Sequence, residues 1–353
     1  MAYSTISKPS LHFTTKLYTG NGSTNAVTGV GFAPDWVWQK RRDGNNGHVL
    51  FDKVRGATKI LQSNNGAAQL TSNSGYDTVS LDSDGFTLAA PSQVGGINAN
   101  GSSCVAWNWK AGGAGSANTD GTINTTKTSA NTTSGFSIIQ YAGTGSSGTI
   151  GHGLSATPRL CIFKEIDGGE SWRVWHRAAP NYSTKALSLN GTEVEFSQTN
   201  WIGTVDNSII TIGSDSSINT NGNNYICYAF AEKAGFSKFG SYVGNGNAEG
   251  PFIYTGFKPA FVIFKKASGS ANDWYVVDSE RSPNNVSIKY VNANLNNAEV
   301  TSSAQERDLL SNGFKIRNSN NGLNTNGETY VYIAFAEEPL VANVGASIPA
   351  TAK

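Results

Sequence analysis

Residues 219–232 read NTNGNNYICYAFAE, residues 324–337 read NTNGETYVYIAFAE, and residues 98–111 read NANGSSCVAWNWKA, a looser third copy. In each, an Asn/Gly turn feeds a run of aromatic, β-branched and small apolar residues, the pattern of a buried strand entered from a tight turn. One strand-turn unit written three times implies one domain written three times. Upstream of each copy lies a second shared segment: GFAPDWVWQK with Pro34, ATPRLCIFKE with Pro158 and GFKPAFVIFK with Pro259. A lysine follows six residues after each proline, at Lys40, Lys164 and Lys265. The prolines stand 75, 72 and 76 residues before Trp109, Phe230 and Phe335. Between them lies a third landmark: HVLFDKVRG from His48, WRVWHRAAP from Trp172 and WYVVDSERS from Trp274. Ordered landmarks at nearly constant spacing define a three-module array.

Composition sets the class. Charged residues make up 14% of the chain, against roughly 25% in ordinary globular domains. With 40 Gly and abundant Asn, Ser and Thr, the chain is poor in helix-forming surface residues and rich in turn formers. The expectation is all-β, with eight to ten short strands per module in a β-sandwich or jelly roll. The best helical composition, SSAQERDLLSN at 302–312, is long enough for one or two turns. The boundaries read as an N-terminal arm 1–12, module 1 at 13–110 and a Gly/Ser/Thr linker or decorated loop at 111–134. Module 2 follows at 135–232, module 3 at 235–338 and a C-terminal tail at 339–353.

A net charge of +1 gives no concentrated basic face, so no nucleic-acid partner is expected. No stretch of 18 apolar residues occurs, so no membrane insertion is expected, and MAYSTISKPS lacks the apolar core of a secretory signal. Cys104, Cys161 and Cys227 fall on strand-like runs without metal spacing, and read as buried thiols of a protein made in a reducing cytoplasm. Cys161 and Cys227, in one module, are candidate neighbours.

The residues carry no catalytic or metal signature, so neither enzyme activity nor a cofactor is expected. His48 and Asp52 have helical ligand spacing, but on a strand they lie about 13 Å apart. The Asp52 position becomes His176 and Asp278 in the other modules, and the His48 position becomes Trp twice. Arg55 and Arg281, three residues after the acids, read as structural partners closing the strand end. GSDSSINTNG at 213–222 and DSDG at 82–85 lack the ligand run of a calcium loop and read as turns. Trp36, Trp38, Trp107 and Trp109 alternate on strands and read as core. Trp172, Trp175, Trp201 and Trp274 sit nearer turns. They are the candidate ligand-binding residues, because an indole beside Asn-rich loops can stack on a sugar ring; burial in the core is the alternative.

LYTGNGSTNAVTGVGFAPDWVWQKRR, HVLFDKVRGATKILQSN, DGFTL, VAWNWKAGG and the ending AFAEEPLVANVGASIPATAK resemble a repeat module of virion proteins of tailed phages, notably marine and cyanobacterial ones. Module 2 departs most, with SATPRL and RAAP in place of GFxPD and VRG. The resemblance implies concanavalin-like or jelly-roll sandwiches in a virion structural protein. That protein would be a tail fibre or tail appendage component contributing to recognition of a host surface glycan or protein. A capsid-surface decoration, fibre or tail adaptor with a purely structural role is the alternative. The implied partners are other virion proteins and further copies of the chain, a homotrimer being favoured.

Overall fold

In a computed structural model, which describes residues 4–71, 78–89 and 96–339, the chain forms three β-sandwich modules of matching topology. Module 1 contains β1 (Phe13–Thr19), β2 (Asn25–Thr28), β3 (Trp36–Arg41), β4 (Val49–Asp52) and β5 (Gly56–Leu61), then β6 (Leu70–Thr71), β7 (Thr78–Asp82), β8 (Gly85–Leu88) and β9 (Ser103–Trp109). Module 2 contains β10 (Lys127–Asn131), β11 (Phe136–Ala142), β12 (Gly148–Gly151), β13 (Leu160–Glu165) and β14 (Arg173–His176). It continues with β15 (Lys185–Ser188), β16 (Phe196–Ser197), β17 (Ile202–Val205), β18 (Ile209–Ile212) and β19 (Asn224–Phe230). Module 3 contains β20 (Ser237–Val243), β21 (Phe252–Tyr254), β22 (Phe257–Lys266), β23 (Trp274–Asp278) and β24 (Lys289–Asn292), then β25 (Val300–Thr301), β26 (Arg307–Leu310), β27 (Gly313–Ile316) and β28 (Thr329–Pro339).

Each module sets a large sheet against a three-stranded one. The large sheets run β1-β9-β3-β4-β5-β6, β10-β11-β19-β13-β14-β15-β16 and β20-β28-β22-β23-β24-β25. Their small partners run β2-β8-β7, β12-β18-β17 and β21-β27-β26. Module 2 differs by β10, which pairs antiparallel with β11. Residues 111–134, expected as a linker or loop, thus hold a strand of the sheet, and Ile123 also bridges to Ile150 of β12. Residues 302–312 hold one 3₁₀ turn, Ser303–Gln305, and then β26.

The motif that opens each repeat joins the two sheets of its module. Asn98, Asn219 and Asn324 are fully buried. The Asn219 amide donates to the Ser146 and Gly213 carbonyls while its oxygen accepts from Thr144 N–H. Asn324 does the same with the carbonyls of Asn247 and Asn318 and with Asn245 N–H. Tyr18, Tyr141 and Tyr242 donate to the carbonyls just before these asparagines, at Ile97, Ile218 and Leu323. Gly101, Gly222 and Gly327 take φ of +76°, +83° and +75° to turn the chain into the strand, a conformation that strongly favours glycine. GSDSSINTNG forms one helical turn capped by Asp215, whose carboxylate accepts from Ser217 N–H.

Why the central strands read as unbroken apolar runs follows from their surroundings. All ten residues of β22 are buried, as are the last six of β9 and of β19. Strands covered on both faces lose the alternation of a half-exposed strand. One face meets the module's own small sheet. Val37, Phe51, Phe86 and Leu88 pack there in module 1, and Cys161, Phe163, Ile210 and Ile212 in module 2. The opposite faces of all three large sheets meet one another. Trp36, Trp38, Trp109, Leu160, Ile162, Phe230, Phe261, Ile263, Ile333 and Phe335 converge around one small central void. Register makes the convergence threefold, because Trp36 pairs with Trp109, Leu160 with Phe230 and Phe261 with Phe335. Aromatic contacts cross from module to module: Trp36 stacks on Tyr228 at 4.4 Å, Trp109 meets Phe335 at 5.7 Å and Phe230 meets Phe335 at 5.6 Å. One chain therefore closes a pseudo-threefold ring around a shared aromatic interior.

Candidate functional site

The residues that looked chemical in the sequence lie on the seams of this ring. His48, Trp172 and Trp274 occupy the same place, four residues before Asp52, His176 and Asp278, at the start of β4, β14 and β23. Trp172 Nε1 donates to the Gln62 carbonyl of module 1 at 2.8 Å, and Trp274 Nε1 donates to the Ser188 carbonyl of module 2 at 2.8 Å. His48 closes the circle on the Asn292 carbonyl of module 3 at 2.9 Å. Its Nδ1 accepts from Trp38 Nε1 at 2.8 Å, so Nε2 carries the proton and donates. Burial holds the His48 imidazole well below its ordinary value, so it stays neutral in this role.

A second layer repeats the logic with a variation. Asp52 accepts from the Tyr228 hydroxyl of module 2 at 2.8 Å, and Asp278 accepts from Trp107 Nε1 of module 1 at 2.9 Å. Each carboxylate is also held by the arginine three residues on, Arg55 at 2.5 Å and Arg281 at 2.6 Å, all essentially without solvent. At the third seam the position facing module 2 is Ile333, which has no donor to offer. There the equivalent of the aspartates is His176, whose Nε2 meets the Tyr332 carbonyl at 3.1 Å. Burial pushes His176 down to about 4.

The three lysines mark the end of the ring. Lys40 Nζ is bound by the carbonyls of Arg41, Gly44 and, across the seam, Asn296. Lys265 Nζ is bound by Asn272 and, across its seam, Thr192. Lys164 Nζ takes the carbonyls of its own loop at Glu165 and Gly168. Burial lowers all three to about 8. His48, Asp52, Arg55, His176, Asp278 and Arg281 are thus spent on joining modules. Among the described residues no group of three or more His, Cys, Asp or Glu side chains is placed to hold a metal ion. Cys161 and Cys227 are neighbours in the module 2 core, and all three cysteines are buried free thiols.

The four candidate indoles are buried: Trp172 is 0% exposed, Trp175 and Trp274 1% and Trp201 4%. A sugar-stacking role needs an indole face in solvent, and Trp172 and Trp274 instead serve the seams. Trp175 packs in the module 2 core against Tyr182. Trp201 alone borders open space, at the wall of a shallow groove of about 290 Å³ with Ser147, Asn200, Thr211 and Ser214 around it. Gly213 cannot carry a side chain there, since a Cβ would lie 1.8 Å from the Asn200 carbonyl oxygen.

Among the described residues, the exposed large aromatics that sequence reasoning missed are Phe252 (46%) and Tyr254 (53%) on β21. They flank the buried Ile253 and so share the outer face of the strand. The available signal was a difference between the copies. Through the register with the neighbouring strand, Phe252 and Tyr254 stand where module 1 has Ala26 and Thr28 and module 2 has Thr149 and Gly151.

Among the described residues no helix is long and apolar enough to cross a membrane. A family model described as a domain of unknown function, DUF7483, matches residues 8–339, and the chain belongs to that family. The match spans all three modules as one unit, in keeping with an interior that no module completes alone. No curated protein and no solved structure matches the chain.

Proposed function

We propose that this protein is a structural component of a tailed-phage virion, a tail fibre or tail appendage unit that contributes to host recognition by binding rather than by catalysis. The observation that carries the reading is the closed ring. His48, Asp52, Arg55, His176, Asp278 and Arg281 are taken up in the seams, and the chain is weakly charged, at 14%, and rich in polar turn formers. One chain supplies three equivalent sheets about one axis, so it can meet a threefold fibre partner without three copies of itself. The resemblance of the repeats to phage virion modules points the same way.

Immunogold labelling of intact particles with antibody to this chain tests the location, and blocking of adsorption by the purified protein tests recognition. Label on the tail with blocked adsorption supports the proposal. Label confined to the head with unimpaired adsorption overturns it in favour of a capsid-surface role.

A further inference from the structure

We infer that the outer face of β21 in module 3 is a saccharide-binding platform, on which Phe252 and Tyr254 stack against successive pyranose rings of an acidic polysaccharide. The inference rests on the recognition role proposed above and names its ligand class. Two residues apart on one face of a strand, the side chains leave the backbone about 7 Å apart, a spacing that lets each meet a different ring of an extended chain. Their rings supply apolar surface for sugar C–H groups, and the surroundings supply charge. Lys238 Nζ lies 5.6 Å from the centre of the Tyr254 ring. Lys315 is the register partner of Phe252 on β27, and Lys315 and Arg317 both reach Glu249. Lys238, Lys315 and Arg317, set against Glu249 and Asp308, the carboxylates that Lys315 and Arg317 pair with, give this set a positive balance, complementary to sugar carboxylates.

The fold does not require these aromatics. In module 1 the same face carries Ala26 and Thr28. In module 2 it carries Thr149 and Gly151, and the chain itself lies over it. A Cβ on Gly151 would lie 1.7 Å from the Asn118 side chain, and Ile123 N–H bonds the Thr149 carbonyl at 2.9 Å. Module 3 alone combines an uncovered face with two large rings. Exposed aromatics on a strand at a sheet edge are an aggregation hazard, which is an argument that a partner of their own chemistry meets them.

The test is binding of the whole protein to a printed array of acidic and neutral bacterial polysaccharides, for the wild type, the Phe252→Ser/Tyr254→Ser double variant and Trp201→Phe. The expected result is binding to acidic features, weakened at least tenfold in the double variant and unchanged in Trp201→Phe, with unaltered thermal unfolding because both aromatics are half-exposed. Equal binding by wild type and double variant overturns the platform, as does a preference for neutral features. Wild type that binds no feature yet still blocks adsorption also overturns it, while leaving the recognition role intact through a protein receptor.

Discussion

Two seams of the ring are built around a carboxylate and the third around an imidazole. At the first two, a side-chain donor on the central strand (Tyr228 or Trp107) meets an aspartate already clamped by its arginine. At the third, the strand offers Ile333 and a backbone carbonyl, the acid has become His176, and the arginine position is Ala179. Donor and acceptor have exchanged sides, and the arginine has gone because no charge remains to neutralise. The spatial role is kept while every participating residue changes. The unit preserved across the copies is therefore a satisfied buried polar contact.

The carboxylate seams carry the largest expected effect. Asp52→Ala leaves Arg55 buried with its charge uncompensated and the Tyr228 hydroxyl without its acceptor, and Asp278→Ala leaves Trp107 Nε1 without an acceptor and Arg281 with Glu299 as its remaining carboxylate. Removing one partner of a buried ion pair costs about 3–5 kcal/mol, so each variant should show a large fall in the denaturant midpoint. Because the interior is shared, that fall should come as a single transition of the whole chain; loss of one module alone would show that the ring is not one cooperative core.

The sharpest test converts one seam into the other. His176→Asp alone places a carboxylate against the Tyr332 carbonyl with neither arginine nor donor, and should destabilise by about 3 kcal/mol or more. Adding Ala179→Arg and Ile333→Tyr recreates the set found at Asp52, and the triple variant should recover most of the loss. A triple variant no better than the single one would sink the equivalence of the seams.

Acid provides a smaller and reversible perturbation. His176 remains neutral in the folded protein down to about pH 4, whereas in the unfolded chain it takes up a proton below about 6.5. The unfolded state therefore binds more protons across that window. The stability contributed by the neutral imidazole is complete above pH 6.5 and is lost as pH falls toward 4, by about 3 kcal/mol. His48, also depressed by burial, adds in the same direction. In His176→Gln, whose amide can still donate to Tyr332, the dependence of the unfolding midpoint on pH between 6.5 and 4 should flatten; an unchanged slope would show that the imidazole is not the sensor.

Much of the fold was legible because it is written three times. The Pro-to-aromatic spacing and the Asn-Gly turns mark three sandwiches, and the arginines after Asp52 and Asp278 were readable as their partners. What could not be read was where the second face of each central strand goes. An apolar run such as YICYAFA signals burial on both sides, but does not say whether the second cover is a helix, a partner chain or another copy of the same module. Hence Trp172 and Trp274, set beside polar turns, looked like surface indoles, although their neighbours in space come from the preceding module. The same blindness hid the platform. Phe252 and Tyr254 look like core aromatics in isolation and stand out only when aligned with Ala26, Thr28, Thr149 and Gly151.

The smallest predicted effect tests the threefold equivalence directly. Trp172→Phe and Trp274→Phe keep the ring in the seam and delete one N–H, leaving the carbonyls of Gln62 and Ser188 without that donor. A lost hydrogen bond to a buried acceptor costs about 1–2 kcal/mol. Because both bonds measure 2.8 Å and occupy equivalent seams, the two variants should lose similar amounts, and the double variant their sum, since the contacts share no residue. His48→Phe should cost more than either, because it also strands Trp38 Nε1. A Trp172 variant near wild type beside a strongly weakened Trp274 variant would mean that the seams look alike in geometry but carry unequal shares of the ring's stability.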